Sequence, residues 1–133
     1  MDLFEAFGFG PGSIVAAVGG GGKTSLVFTL ANEAAARGLA AAVTTTARFT
    51  RPRGIPLPPC LSTTPEDLAT AFARELRPGQ ARTLISAEVE AGRYAGFTPE
   101  MIASLPPGDF FLAIEADGSA HRPFKAPAPH EPA

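Results

Sequence analysis

Ser13-Ile14-Val15-Ala16-Ala17-Val18-Gly19-Gly20-Gly21-Gly22-Lys23-Thr24 joins an apolar run, a glycine cluster and a Lys-Thr pair without a break. The apolar run is rich in β-branched residues and reads as a buried strand. Four glycines let the backbone turn sharply and approach a ligand without Cβ clashes. A helical pattern begins at once after Lys23 and Thr24. Strand, glycine loop and helix in this order are the layout of a phosphate-binding P-loop. Backbone N–H groups of Gly19, Gly20, Gly21 and Gly22 and of the helix start, with Ser25 beside them, would face the phosphates. Lys23 would neutralise their charge, and the Thr24 hydroxyl would hold Mg2+. The expected ligand is ATP or GTP with Mg2+.

The longer Walker pattern needs glycine at position 17, where Ala17 stands, so this is the short form Gly19-x-x-Gly22-Lys23-Thr24. A plain glycine hinge before an ordinary helix is the bland alternative. A dinucleotide-binding turn fits worse: no G-x-G-x-x-G frame closes, and Thr44, not an acid, ends the next strand.

Working outward, Asp2 to Phe7 suits one short amphipathic turn, and Gly8 to Gly12 breaks the chain. Downstream, Leu26, Val27, Leu30, Ala31 and Ala34 recur at helical spacing over Thr24 to Arg37, and Gly38 suits the C′ position. Leu39 to Thr44 reads as a strand buried on both faces, as in a parallel sheet. Residues 52–63, with prolines at 52, 56, 58 and 59, read as loop. Thr64-Pro65-Glu66-Asp67 reads as a capped helix start, with the helix running to about Leu76. Arg82 to Ala87 is a further strand. Thr98-Pro99-Glu100 caps a short helix to Leu105, and Phe110 to Ala116 is the last strand. The order β-α-β-α-β-α-β predicts an α/β fold, a three-layer P-loop NTPase-like domain with a mostly parallel sheet spanning residues 1–133.

Phe110-Phe111-Leu112-Ala113-Ile114-Glu115-Ala116-Asp117-Gly118-Ser119 resembles a Walker B segment. Five apolar residues carry acids to a strand end, and Glu115 and Asp117 project to one face if the strand continues. With Thr24, one would hold the metal and the other would orient a nucleophile or accept a proton. Spacing leaves the assignment of the two roles open. Thr44-Thr45-Thr46 ends the second strand, with Thr45 a candidate phosphate contact, because ligands gather at the carboxyl ends of parallel strands. Arg48, Arg51 and Arg53 follow, as a solvated loop or an anion sensor. Beyond Asp117 the chain is proline-rich yet holds Arg122, Lys125, His130 and Glu131: a functional loop, with Lys125 near the phosphates, or a terminal tail.

The chain has 133 residues and a net charge of −2, with 45% hydrophobic residues. This suits one compact unit and gives no general attraction to nucleic acid or anionic membrane. No apolar run approaches a membrane span, and no basic n-region opens the chain. A lone cysteine, Cys60, forms no internal disulfide and fits the cytoplasm. Only two of the 11 basic residues are lysines, Lys23 and Lys125, and both fall in candidate motifs.

Val18 to Ser25, Val43-Thr44-Thr45-Thr46, Glu115-Ala116-Asp117-Gly118-Ser119, and Arg122-Pro123-Phe124-Lys125-Ala126-Pro127 with His130-Glu131-Pro132 together resemble the YqeC family. These are accessory proteins of selenium-dependent molybdenum hydroxylases. Phe124 stands where the family has leucine, and family members continue well beyond the His-Glu-Pro motif. The resemblance therefore implies the N-terminal portion of a P-loop protein that acts in the maturation of such hydroxylases. It also implies a client enzyme, or its cofactor, as partner and nucleoside triphosphate hydrolysis as a possible activity. A Mur-ligase-like ATP-dependent ligase or kinase, and a non-catalytic module gripping a phosphate of a pterin cofactor, are the alternatives.

Overall fold

The computed structural model describes residues 2–17, 23–46, 48–51 and 54–116. Along the chain lie α1 (Leu3–Phe7), β1 (Ile14–Ala17), α2 (Lys23–Ala36), β2 (Ala40–Thr45), β3 (Arg48–Thr50) and β4 (Cys60–Ser62). Then come α3 (Leu68–Glu75), β5 (Ala81–Ile85), β6 (Ala87–Glu90), β7 (Arg93–Ala95), α4 (Pro99–Ala103) and β8 (Phe110–Glu115). Five strands form one sheet in the order β1-β8-β2-β5-β4, and every pairing in it is parallel. The remaining three form a small antiparallel sheet, β3-β7-β6.

Alternation along the central strands divides the core into two. Ala41, Val43, Phe111 and Ala113 face α1 and α2, where they meet Phe4, Val27, Phe28, Leu30, Ala31 and Ala34. Ala40, Ala42, Phe110, Leu112 and Ile114 face α3 and α4, where they meet Leu68, Phe72 and Ile102. The fold is thus α/β in three layers, with the parallel sheet in the middle. Each side chain buried as fully as Phe28 or Phe111 contributes about 1.5–3 kcal/mol.

Local signals explain several boundaries. Helix α2 ends where the sequence puts glycine. Gly38 has φ 91°, and the bonds Gly38 N–H to Ala35 O (2.9 Å) and Leu39 N–H to Ala34 O (3.1 Å) close a Schellman motif. Thr98 caps α4 by accepting from Met101 N–H at 3.2 Å. Asp2 caps α1 by accepting from Glu5 N–H at 2.8 Å, and that bond, with Arg37 beside it, lowers the Asp2 carboxyl below its usual value. Arg37 reaches Asp2 and Glu5 at 3.2 and 3.0 Å, tying α1 to the end of α2.

Three readings of the sequence need correction. The stretch 52–63 is not all loop: β4 pairs in parallel with β5 at the sheet edge. Its start follows Pro58 and Pro59, a place an edge strand tolerates. Helix α3 begins at Leu68, not at Thr64. Thr64 accepts from Asp67 N–H at 3.2 Å, but it caps a tight turn that leads into the helix. Arg48 lies in a strand, not a loop, because β3 pairs with β7 across a long sequence separation.

The small sheet is fastened to the large one at the carboxyl end of β2. Phe97 N–H donates to Thr45 O at 3.0 Å. Gly96 packs so closely on the Thr45 carbonyl that a Cβ there would overlap it. We predict that Gly96→Ala lowers stability by about 1–3 kcal/mol, whereas Gly10→Ala, which has open space, changes it little. Thermal denaturation of both variants is the check; equal melting temperatures would refute the close approach.

Candidate functional site

The carboxyl ends of β1, β8 and β2 form one rung: Ala17 pairs with Glu115, and Glu115 pairs with Thr45. The backbone here is doubly tied. Glu115 O accepts from the Thr45 hydroxyl at 2.8 Å and from Thr46 N–H at 3.1 Å, and Ala116 N–H donates to Ala17 O at 3.0 Å. Glu115 is 7% exposed, so a carboxylate is held at the mouth of an otherwise apolar strand. It has the parity of Phe111 and Ala113 and therefore lies on the α2 side of the sheet. Helix α2 opens at the same end, with Lys23 and Thr24 as its first residues and Ser25 exposed behind them.

This rung joins two strands that carry candidate residues, β8 with Glu115 and β2 with Thr45. It places the Glu115 strand directly beside β1, which precedes the glycine loop. Gly19, Gly20, Gly21, Gly22, Asp117 and Lys125 lie outside the described residues. Strand β8 ends at Glu115, and the common face expected for Glu115 and Asp117 lies outside the described residues. Thr44 and Thr45 are fully buried. Thr44 donates to Leu84 O at 2.9 Å and Thr45 to Glu115 O, so both hydroxyl protons serve the sheet here. Thr45 acts as a pin between β2 and β8. Glu115 and the Thr24 hydroxyl type are hard oxygen donors, the set that suits Mg2+.

What the sequence reading missed is the hairpin β6–β7. It presents Tyr94 to Phe49, and Phe49 to Phe28 on α2, with ring centroids 5.6 and 5.3 Å apart. These contacts set the small sheet against the first turns of α2. Gly92, with φ 77°, between Ala87-Glu88-Val89-Glu90 and Arg93-Tyr94-Ala95 was the available hairpin signal.

Cys60 lies on the exposed side of β4 beside Tyr94 and Glu88. Burial raises its thiol pKa above the usual value, and the Glu88 charge raises it further. A raised thiol pKa lowers the thiolate fraction of Cys60 at neutral pH and so its nucleophilicity. Among the described residues no helix is long and apolar enough to cross a membrane.

The family model described as "YqeC protein" matches residues 15–133. The chain is also similar to "Uncharacterized protein YqeC" of Escherichia coli (strain K12), with 38% identity over 124 residues. That alignment covers 90% of this chain and 46% of the relative, so the chain spans about half the length of the curated relative it matches. No solved structure matches.

We predict that Cys60 alkylates slowly at neutral pH, with a rate–pH midpoint above that of the unfolded chain. Glu88→Gln moves the midpoint down, because removing a nearby negative charge favours the thiolate. Iodoacetamide kinetics across pH read both midpoints. A midpoint at or below the unfolded value would overturn the assignment.

Proposed function

Since the chain belongs to the YqeC family, we propose that it is a P-loop nucleotide-binding accessory protein acting in the cytoplasm in the maturation of selenium-dependent molybdenum hydroxylases. The observation that carries this reading is the Ala17–Glu115–Thr45 rung, with Glu115 on the α2 side where Lys23 and Thr24 open the helix. A strand-end carboxylate beside the strand that feeds a glycine loop is the arrangement that phosphoryl chemistry uses.

In this reading Gly19, Gly20, Gly21, Gly22 and Ser25 cradle the phosphates of ATP or GTP, and Lys23 neutralises them. Lys125 adds a second positive charge. Thr24, Glu115 and Asp117 would hold Mg2+, which supplies charge neutralisation at the phosphates when bound. The acid not engaged there orients a nucleophile or accepts its proton. Thr45 acts by position: its bond to Glu115 O fixes the strand end from which the carboxylate projects. Nucleotide turnover is coupled to a client hydroxylase or to its cofactor.

Calorimetric titration with Mg·ATP and with Mg·GTP tests the reading. Lys23→Ala should weaken nucleotide binding roughly ten- to hundredfold, the worth of one charge-assisted contact, with the circular dichroism spectrum unchanged. Glu115→Gln and Asp117→Asn should separate, one weakening magnesium-dependent binding and the other sparing binding while slowing turnover. Parent-like affinity in Lys23→Ala sinks the P-loop assignment. Parent-like binding and hydrolysis in both acid variants sinks the carboxylate roles.

A further inference from the structure

The small antiparallel sheet has an inner and an outer face, and the outer one carries unused charge. The register pairs Arg48 with Ala95, Phe49 with Tyr94 and Thr50 with Arg93. Phe49 and Tyr94 are buried, so Arg48, Thr50 and Arg93 turn the other way, and all three are exposed. Arg48 and Arg93 are diagonal neighbours across β3 and β7, a spacing that long side chains bridge.

Some arginines elsewhere in the fold have partners. Arg37 pairs with Asp2 and Glu5, and Arg82 pairs with Glu75 and donates to Pro59 O and Cys60 O. Among the described residues, the side chains of Arg48 and Arg93 form no ion pair and no hydrogen bond. Two acids are near in register. Glu90 stands opposite Arg93 but makes no ion pair with it, and Glu88 stands opposite Tyr94 and accepts from Gly92 N–H at 3.1 Å. Two neighbouring guanidiniums repel, and an oxyanion between them removes the repulsion. Guanidinium is also the side-chain group whose donor fork matches phosphate and carboxylate.

The position of the face gives it a role. The small sheet is fastened at Thr45 through Phe97 and Gly96, on the rung that holds Glu115. We propose that Arg48 and Arg93, with the Thr50 hydroxyl, form an oxyanion-binding face that holds the phosphate or carboxylate group of a small second substrate. Assigning this group to a second substrate rests on the nucleotide reading; the anion site stands apart from it.

The probes are inorganic pyrophosphate and citrate, titrated into the Lys23→Ala protein so that the glycine loop contributes little. Arginine side-chain NMR signals report binding. Pyrophosphate should perturb Arg48 and Arg93, and adding Arg48→Gln with Arg93→Gln should weaken it roughly tenfold or more. Glu90→Gln should tighten it, because that acid opposes the anion. A response to citrate with the same loss supports a carboxylate-bearing substrate, and a response to pyrophosphate alone supports a phosphate-bearing one. Affinity unchanged by the double substitution, or no response of either arginine to either probe, overturns the proposal. If the parent protein binds the anion but no Mg-nucleotide, the nucleotide reading fails and the anion site remains.

Discussion

Strand β8 holds the molecule together, because it is hydrogen-bonded to β1 on one side and β2 on the other. Both faces of β8 are apolar and wholly covered, Phe111 and Ala113 by α2 and Phe110, Leu112 and Ile114 by the opposite helical layer. Only its last residue breaks the pattern. Burying a carboxylate at that point carries a desolvation cost unless partners offset it. Glu115 stands where strand ends, helix start and small sheet converge. A polar residue at the mouth of so apolar a strand is a reason to look for function there.

The two sheets divide the labour. The parallel sheet supplies rigidity and burial. The antiparallel one hangs from it by Phe97, Gly96 and the rings of Phe49 and Tyr94. Its own outer strand, β6, is exposed along its whole length. Glu88 and Glu90 on that strand, with an irregularity between them, discourage edge-to-edge pairing.

Much of the large sheet was legible in the sequence because its signals are local. Apolar runs such as Phe110 to Ile114, the Gly38 helix end and the Thr98 cap are each read within a few residues. The antiparallel sheet was not, because its strands are three or four residues long and one pairing joins Arg48 to Ala95. No periodicity survives in so few residues. Thr64-Pro65 misled for a different reason: a cap for a tight turn and a cap for a helix use the same hydroxyl and the same N–H. Glu115 sits at a strand end, as the apolar run before it leads one to expect, and the structure adds the neighbour strands that frame it. The second use of Thr44 and Thr45, as donors to carbonyls of adjacent strands, was invisible because it depends on which strands lie next to β2.

The strand order carries a consequence for how the chain is made. β1 and β2 are early in the sequence but do not touch as partners; the space between them is filled by β8. Ile14 pairs with Leu112 and Ala40 with Phe110, so the central contacts are among the most distant in the chain. Such pairings close slowly, since loop entropy is lost before contact energy is gained. On the ribosome, β1 and β2 must wait for β8 before the sheet between them can close. The same segment that brings the acid to the site therefore also completes the sheet.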